Sequence, residues 1–108
     1  MKKTTPEGAV KRAVTDYLTK RKHFWISVAT TGTYDARIGA YRTSPYAHPG
    51  MSDMLVFPRG RLEPIFMELK AKAGRLSKDQ VLFREYVTDL GFEYVVVRSV
   101  DDCIGLGL

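Results

Sequence analysis

Residues 64–98 have the sequence PIFMELKAKAGRLSKDQVLFREYVTDLGFEYVVVR, in which two apolar runs flank an amphipathic segment. The first run, 64–70, alternates in side-chain character as a strand does. The last strand, 94–98, begins with the continuous apolar run Tyr94-Val95-Val96-Val97, which predicts an interior strand covered on both faces. The segment between them, 78–90, has the apolar spacing of a helix. A strand, a helix and a strand of these lengths are typical of a right-handed crossover between two parallel strands.

The helix predicted over 78–90 has defined ends. Ser77 and Gln80 form a capping-box pattern at its start, and Gly91 suits the left-handed position that follows the last turn. Its predicted apolar face comprises Leu82, Phe83, Tyr86, Val87 and Leu90.

The rest of the chain predicts five further elements. They are helices over 5–22 and 100–105, and strands over 24–29, near 36–42 and over 54–57. Helix, three or four strands, helix, strand and helix is the order of an α/β fold with a mixed sheet. The chain has 108 residues, of which 44% are hydrophobic, so we expect a single globular domain over 1–108.

The composition disfavours several classes of protein. The single cysteine, Cys103, excludes a disulfide scaffold within one chain and a multi-cysteine zinc site. No apolar run approaches the roughly 18–20 residues that span a bilayer. The basic N-terminus lacks the apolar segment of a signal peptide. We therefore expect a soluble intracellular protein with no membrane partner.

The charge favours a polyanionic partner. The chain carries 17 Lys and Arg against 12 Asp and Glu, a formal net charge of +5. The excess lies in residues 1–52, which hold nine basic and three acidic side chains, whereas 53–108 hold eight and nine. A basic half attracts nucleic acid, the commonest polyanion. The alternative is a solvated surface that keeps the chain soluble.

The candidate catalytic residues lie at the end of the strand predicted over 64–70. Side chains alternate across a strand, so Glu68 and Lys70 share one face with Phe66. Upstream, Asp53 begins the hairpin partner of this strand. We therefore expect Asp53 to lie close to Glu68.

Two carboxylates and an amine at one strand end suit metal-assisted phosphodiester cleavage. Carboxylate oxygens are hard ligands for Mg²⁺ or Mn²⁺, which keep several waters and reach a substrate phosphate. The ion acidifies a bound water, and a neighbouring lysine stabilises the attacking hydroxide and the transition state. The alternative is a solvated cross-strand ion pair, because a Glu-x-Lys triplet is common on strands.

Three motifs follow one another at a defined spacing: Gly50-Met51-Ser52-Asp53, Glu68-Leu69-Lys70 and Gly74-Arg75-Leu76-Ser77-Lys78-Asp79-Gln80. Together they resemble the VRR-NUC domain of virus-type replication-repair nucleases, a branch of the PD-(D/E)XK superfamily. The resemblance covers nearly the whole chain and is weakest across 30–48. It implies a restriction-endonuclease-like α/β/α core, with a mixed sheet of four to five strands flanked by helices.

The resemblance also implies a role for individual residues. Asp53 and Glu68 would be metal ligands, and the backbone carbonyl of Leu69 would be a further ligand. Lys70 would be the catalytic lysine.

Two further residues have competing interpretations. By resemblance Gln80 lies near the metal and its water, but the capping of Ser77 explains it equally. Glu7 matches a glutamate that family members often add from the first helix, and is thus a candidate metal ligand. Alternatively, Glu7 caps the backbone N–H of Thr4.

The candidate DNA contacts are basic side chains after the site and on the first helix, together with a loop histidine: Lys72, Arg75, Lys78, Lys11, Arg12 and His48. As surface charges they need no explanation, and a loop histidine is often incidental. A second group is expected to stack on unpaired bases, to pack a dimer or to cover a core: Tyr34, Tyr41, Tyr46, Arg37 and Arg42.

The resemblance implies a Mg²⁺- or Mn²⁺-dependent DNA endonuclease that cuts branched DNA such as a Holliday junction. It also implies a homodimer in the cytoplasm of a bacterium or a phage-infected host cell. A cut on both strands needs two sites, which favours a symmetric dimer. Two alternatives remain: a non-catalytic basic module that binds nucleic acid, and a subunit of a protein assembly.

Overall fold

The elements of the chain follow the predicted order, with one hairpin added. The computed structural model describes residues 5–28, 33–42 and 48–108. The elements are α1 (Pro6–Lys20), β1 (Phe24–Ser27), β2 (Thr33–Asp35), β3 (Ala40–Arg42), β4 (Met54–Phe57), β5 (Ile65–Leu69), α2 (Lys78–Asp89), β6 (Glu93–Val97) and α3 (Val100–Gly105). The predicted α/β class, with helices flanking a mixed sheet, is confirmed. Within the part of the chain that the structure describes, no helix is both long and apolar enough to cross a bilayer.

The main sheet has four strands in the order β1-β4-β5-β6. Strands β1 and β4 pair antiparallel, as do β4 and β5, whereas β5 and β6 pair parallel. The parallel pair joined through α2 is the crossover that the sequence predicts. The prediction that 94–98 form an interior strand is wrong, because β6 lies at an edge of the sheet. The other part of that prediction is confirmed, because helices α2 and α3 cover the two faces of β6, while among the described strands only β5 pairs with it laterally.

The strand predicted near 36–42 is wrong in detail. Strands β2 and β3 form a separate antiparallel hairpin, with Tyr34 opposite Tyr41. Residues 36–39 make the turn between them, and Gly39 has a positive φ of 64° there. The β pattern of this stretch is therefore satisfied locally, without a place in the main sheet. Tyr46 lies outside the described residues.

One face of the sheet packs against α1 and α3 and forms the main core. Its fully buried side chains come from α1, from strands β4, β5 and β6, and from α3, as the alternation along β5 requires. They are Val14, Leu18, Met54, Val56, Ile65, Met67, Leu69, Val97 and Cys103. Cys103 is therefore the small apolar residue that the sequence predicts.

The other face is covered by α2, through a narrower contact than the sequence predicts. Phe83 and Val87 are buried, whereas Leu82, Tyr86 and Leu90 are exposed. A single helix that crosses one edge of a sheet buries a line of residues four apart. It does not bury the whole apolar stripe of the sequence.

Helix α1 begins and ends inside the predicted limits of 5–22. The Thr5 hydroxyl oxygen accepts a hydrogen bond from the backbone N–H of Gly8, 2.9 Å away, so Thr5 is the N-cap. At the other end, Lys22 has a φ of 63°, a left-handed conformation that usually belongs to glycine. The backbone N–H of His23 donates to the carbonyl of Leu18, which closes the helix end.

Replacing Lys22 by glycine should stabilise the chain. Relief of left-handed strain, about 1–2 kcal/mol for a residue with a Cβ, exceeds the entropic cost of a glycine, about 0.5–1 kcal/mol. We expect Lys22→Gly to raise the midpoint of thermal unfolding. The control Lys20→Gly, two residues earlier inside α1, should lower it, since glycine costs roughly 1 kcal/mol in a helix. A lower midpoint for Lys22→Gly contradicts the left-handed assignment.

Candidate active site

The carboxylates of Asp53 and Glu68 meet where β4 begins and β5 ends. The antiparallel register places Met54 opposite Met67, so the next pair along the ladder is Asp53 and Glu68. The backbone N–H of Asp53 donates to Oε2 of Glu68 over 3.2 Å, and the N–H of Leu69 donates to Oδ2 of Asp53 over 2.7 Å. Each strand therefore binds the carboxylate of the other. The expectation that the two residues lie close together is confirmed.

Lys70 brings a positive charge to this pair. Its Nζ lies 3.8 Å from Oε1 of Glu68 and 4.0 Å from Oε1 of Glu7. Lys70 follows the last residue of β5, and its backbone N–H donates to the carbonyl of Val97, which extends the parallel ladder by one residue. The ladder thus fixes the backbone from which the ammonium reaches the carboxylates.

Glu7 approaches the site from α1. With Thr5 as the N-cap, the hydroxyl of that cap binds Gly8, so Glu7 does not occupy the capping-box position of the helix. The alternative cap on Thr4 lies outside the described residues. Glu7 contacts the ammonium of Lys70, which makes it a second anionic neighbour of that group.

Gln80 fulfils both of its sequence interpretations at once. Its Oε1 accepts from the backbone N–H of Ser77 over 2.8 Å, while the Ser77 hydroxyl accepts from the N–H of Gln80 over 3.2 Å. This is the predicted capping box. The other end of the same amide, Nε2, donates to Oε1 of Glu68 over 2.9 Å. The cap therefore fixes the amide that holds one oxygen of Glu68.

Burial dominates the electrostatics of the pair. Glu68 is 2% exposed. Removal from water, followed by the nearby carboxylate of Asp53, raises the pKa of Glu68 to about 8, against the opposing charge of Lys70. A buried carboxyl group whose anion is destabilised in this way favours a bound proton or a nearby cation.

The donor set fits a hard divalent cation held by two side chains. Asp53 and Glu68 supply carboxylate oxygens, the ligand type that Mg²⁺ and Mn²⁺ prefer. The backbone N–H of Leu69 donates to the carboxylate of Asp53, and the backbone carbonyl of Leu69 remains a predicted ligand. Within the described ranges, no three His, Cys, Asp or Glu side chains converge as an ion cage. The prediction of Glu7 as a third ligand is therefore not supported: it lies at Lys70, and Asp53 and Glu68 form a pair.

Two residues near the pair escaped the sequence analysis. Tyr94 stands opposite Phe66 in the ladder, and its hydroxyl is buried without a partner among the described residues. Burial, and then the charges of Glu68 and Asp53, raise its pKa to about 12. Only the register of β6 could have placed Tyr94 on the face of Glu68.

Arg98 is the second of these residues. Its Nη1 donates to the carbonyls of Ala71 and Gly74, each over 2.7 Å, and to that of Lys72 over 3.3 Å. The guanidinium thus fixes the turn that follows Lys70. An arginine directly after the apolar run of β6 was the available signal in the sequence.

The predicted DNA contacts are dispersed around this centre. The side chains of Lys72, Arg75 and Lys78 are exposed on the segment between β5 and the first turn of α2. Arg12 is exposed on α1.

Two other predicted contacts are engaged within the chain. The ammonium of Lys11 donates to the Ser27 hydroxyl over 2.7 Å. The His48 ring stacks on Tyr86 with centroids 5.7 Å apart, and its edge meets Phe83 at 5.3 Å. His48 therefore packs on α2, and nothing in the described geometry brings it to the carboxylate pair.

Gly50 joins the loop before β4 to the first turn of α2. Its φ is 72°, and a Cβ at this position would lie 2.2 Å from the carbonyl oxygen of Asp79 and 2.7 Å from the backbone nitrogen of Gln80. Only glycine permits this approach. The contact places the segment that carries Asp53 against the turn that carries Gln80.

Comparison with known proteins gives no relative: no family model matches the chain, and neither a curated protein nor a solved structure matches it. The chemistry of the site therefore follows from its own geometry and charge.

Gly50→Ala should destabilise the chain far more than an equivalent change elsewhere. The added methyl group clashes with the backbone of α2, which has no flexible end to move aside. Gly60→Ala is the matched control, since Gly60 has a φ of 81° with nothing within 4 Å of its Cβ. We expect a loss of several kcal/mol for Gly50→Ala against about 1–2 kcal/mol for Gly60→Ala in denaturant unfolding. Equal losses would mean that the loop does not touch α2.

Glu68→Gln should flatten the pH dependence of stability. The pKa of Glu68 in the folded chain, about 8, lies above the ordinary value of 4.5 for a glutamate. Between these values the folded chain keeps a proton that the unfolded chain releases, so the free energy of unfolding falls as pH rises from 4.5 to 8. We expect the wild type to lose at least about 1 kcal/mol more than Glu68→Gln between pH 5 and pH 8. Glu85→Gln, at an exposed position on α2, controls for the lost charge, and parallel curves for all three proteins would contradict the prediction.

Proposed function

We propose that this chain is a Mg²⁺- or Mn²⁺-dependent DNA endonuclease with a PD-(D/E)XK-type core of the VRR-NUC branch. The observation that carries the proposal is the meeting of Asp53, Glu68 and Lys70 at one end of the β4–β5 pair. The motif resemblance agrees with the proposal, because its three motifs supply these residues and Gln80. The mixed four-stranded sheet with helices on both faces is compatible with such a core.

Asp53 and Glu68 are the residues that would hold the cation. A bound divalent ion supplies an acidified water and positive charge against the phosphate oxygens. The backbone N–H groups of Asp53 and Leu69 already orient one oxygen of each carboxylate, so the ligands need no search through rotamers. Gln80 holds the second oxygen of Glu68 and acts as a positioning residue.

Lys70 supplies the catalytic ammonium in this proposal. Hydrolysis breaks one P–O bond of the phosphodiester, adds water across it and builds negative charge on the phosphate oxygens. An ammonium beside the two carboxylates stabilises that charge and the attacking hydroxide. Glu7 and Glu68 each place a carboxyl oxygen within about 4 Å of Nζ, which holds the ammonium beside the carboxylate pair.

The exposed cations near the site would hold the DNA backbone. Lys72, Arg75 and Lys78 follow the site directly, and Arg98 fixes the turn from which Lys72 projects. Contacts of this kind are made with phosphates, are largely independent of sequence and weaken steeply with salt. The proposed substrate is branched or duplex DNA, and the proposed active form is a homodimer, because two strands require two sites.

A second candidate function is a non-catalytic module that binds nucleic acid. The specific observation in its favour is that every oxygen of Glu68, and one of Asp53, is already bound by a group of the chain. In that case Asp53, Glu68 and Lys70 form a structural ion cluster. The two functions separate in one assay, because only the nuclease cleaves.

The nuclease proposal predicts metal-dependent cleavage that requires Lys70. We expect the wild type to nick supercoiled plasmid and to cut a labelled four-way junction with Mn²⁺ or Mg²⁺, and to stop in EDTA. Lys70→Met should lower the cleavage rate at least about 100-fold, while the Kd for DNA changes by less than about threefold. Arg84→Met, which removes one exposed positive charge from α2, is the matched control and should cleave normally.

Three outcomes count against the nuclease. Cleavage that persists in EDTA or in Lys70→Met indicates a contaminant. Tight DNA binding by the folded wild type with no cleavage under either metal supports the binding module. An unfolded Lys70→Met protein is replaced in the assay by Asp53→Asn, which keeps the side-chain shape and should be equally inactive.

A further inference from the structure

Within the described residues, half of one sheet face has no helix on it. On the side of Glu68, α2 packs over β6, and its Phe83 ring meets Phe66 at 5.8 Å and Tyr94 at 6.2 Å. Among the described residues, no helix packs over β1 and β4 on this side. The alternation of the strands places three partly or largely exposed apolar side chains there: Phe24 at 62%, Ile26 at 41% and Phe57 at 38% exposure. These three residues are called the open face below.

The register shows that the open face belongs to the same side of the sheet as the carboxylate pair. Phe24 stands opposite Phe57, and their rings lie 5.6 Å apart. Phe57 is four residues from Asp53 along β4, so it points to the same side at a distance of about 13 Å. Trp25, between Phe24 and Ile26, points the other way and donates to the Thr19 hydroxyl of α1.

Cations border the open face at the end away from the carboxylates. The backbone N–H of Arg59 donates to Nδ1 of His23 over 2.9 Å, which joins the chain before Phe24 to the turn after Phe57. Burial, and then the charges of Arg21, Arg61 and Arg59, lower the pKa of His23. Arg21 and Arg59 are exposed and close to this histidine, so they form a cationic end, whereas Arg61 donates from Nη2 to the carbonyl of Leu106 at the end of α3 over 2.9 Å.

The surface thus runs from an acidic pair through two exposed phenyl rings to Arg21 and Arg59. An exposed apolar ring beside cations that attract phosphate matches single-stranded DNA, whose bases stack on aromatic side chains while its backbone follows cations. In duplex DNA the bases are already stacked and unavailable. The distance of about 13 Å between Phe57 and Asp53 corresponds to a short length of extended single-stranded DNA.

We propose that the open face binds unpaired bases of DNA by stacking on Phe24 and Phe57, so that the site acts on DNA with a single-stranded segment. This inference rests on the proposed nuclease and names its substrate class. A second copy of the chain fits the surface less well. Three partly exposed side chains present far less than the roughly 800 Å² per partner that a stable interface buries.

The test measures binding of a fluorescent oligothymidylate in EDTA, where no cleavage takes place. We expect Phe24→Leu to weaken binding about 5- to 100-fold and Phe24→Trp to retain it, because stacking needs an aromatic ring and not merely an apolar one. Binding to a duplex of equal length should change less than twofold. Leu90→Ala on α2, with 57% exposure at the wild-type residue, is the control of matched exposure and should bind like the wild type.

Two further measurements decide what the rings bind. The wild type should bind an abasic strand of equal length more weakly than it binds oligothymidylate. Phe24→Leu should bind the abasic strand and oligothymidylate equally well. Sedimentation of the wild type and Phe24→Leu should give the same oligomeric state. Failure of the wild type to prefer oligothymidylate over the abasic strand overturns the inference, as does normal binding by Phe24→Leu. A dimer that dissociates in Phe24→Leu identifies the open face as a protein interface and also overturns it.

Failure of this inference is distinguishable from failure of the proposed nuclease. Metal-dependent cleavage that requires Lys70, together with normal binding by Phe24→Leu, supports the proposed nuclease and contradicts base binding at the open face. Ring-dependent binding without cleavage under Mn²⁺ or Mg²⁺ removes the nuclease and leaves a module that binds single strands.

Discussion

The exchange of hydrogen bonds between Asp53 and Glu68 across β4 and β5 organises this molecule. The N–H of Asp53 binds the Glu68 carboxylate, and the N–H of Leu69 binds the Asp53 carboxylate. A buried carboxylate without partners costs several kcal/mol, so these bonds let the sheet carry two acids at one end. The same bonds fix the oxygens in space, which is what a cation or a reacting phosphate requires.

The elements around the Asp53–Glu68 pair each bring a residue or a backbone segment to it. Gly50 brings the loop before β4 against the first turn of α2, and the cap of that helix presents Gln80 to Glu68. The ladder between β5 and β6 positions Lys70. This arrangement stabilises a cluster that a core built only for stability would replace with apolar side chains. Strongly perturbed groups gathered at a strand end are typical of functional sites.

The helices cover the two sides of the sheet to different extents, and this difference leaves part of the sheet surface near the site exposed. Helices α1 and α3 close one side of the sheet, whereas among the described residues α2 covers the other side over β6 and part of β5. Phe24 and Phe57 therefore stay exposed on the side that bears Glu68. A sheet that leaves apolar rings uncovered next to a buried carboxylate pair has room for a planar ligand there.

Local patterns in the amino-acid order predicted the helices, the parallel crossover and the face shared by Glu68 and Lys70. Alternation, capping and turn preferences depend on residues that are close in the chain. They can therefore be recognised in a short segment of sequence taken alone. The edge position of β6, the separate hairpin at 33–42 and the exposure of Leu82 did not follow from such patterns. Which strand gains a second neighbour, and how much of a stripe a helix buries, depend on segments that are distant in the chain. The same holds for Tyr94, whose nearness to Glu68 arises only when β5 and β6 pair in register, because the free energy of that pairing comes from packing the whole sheet.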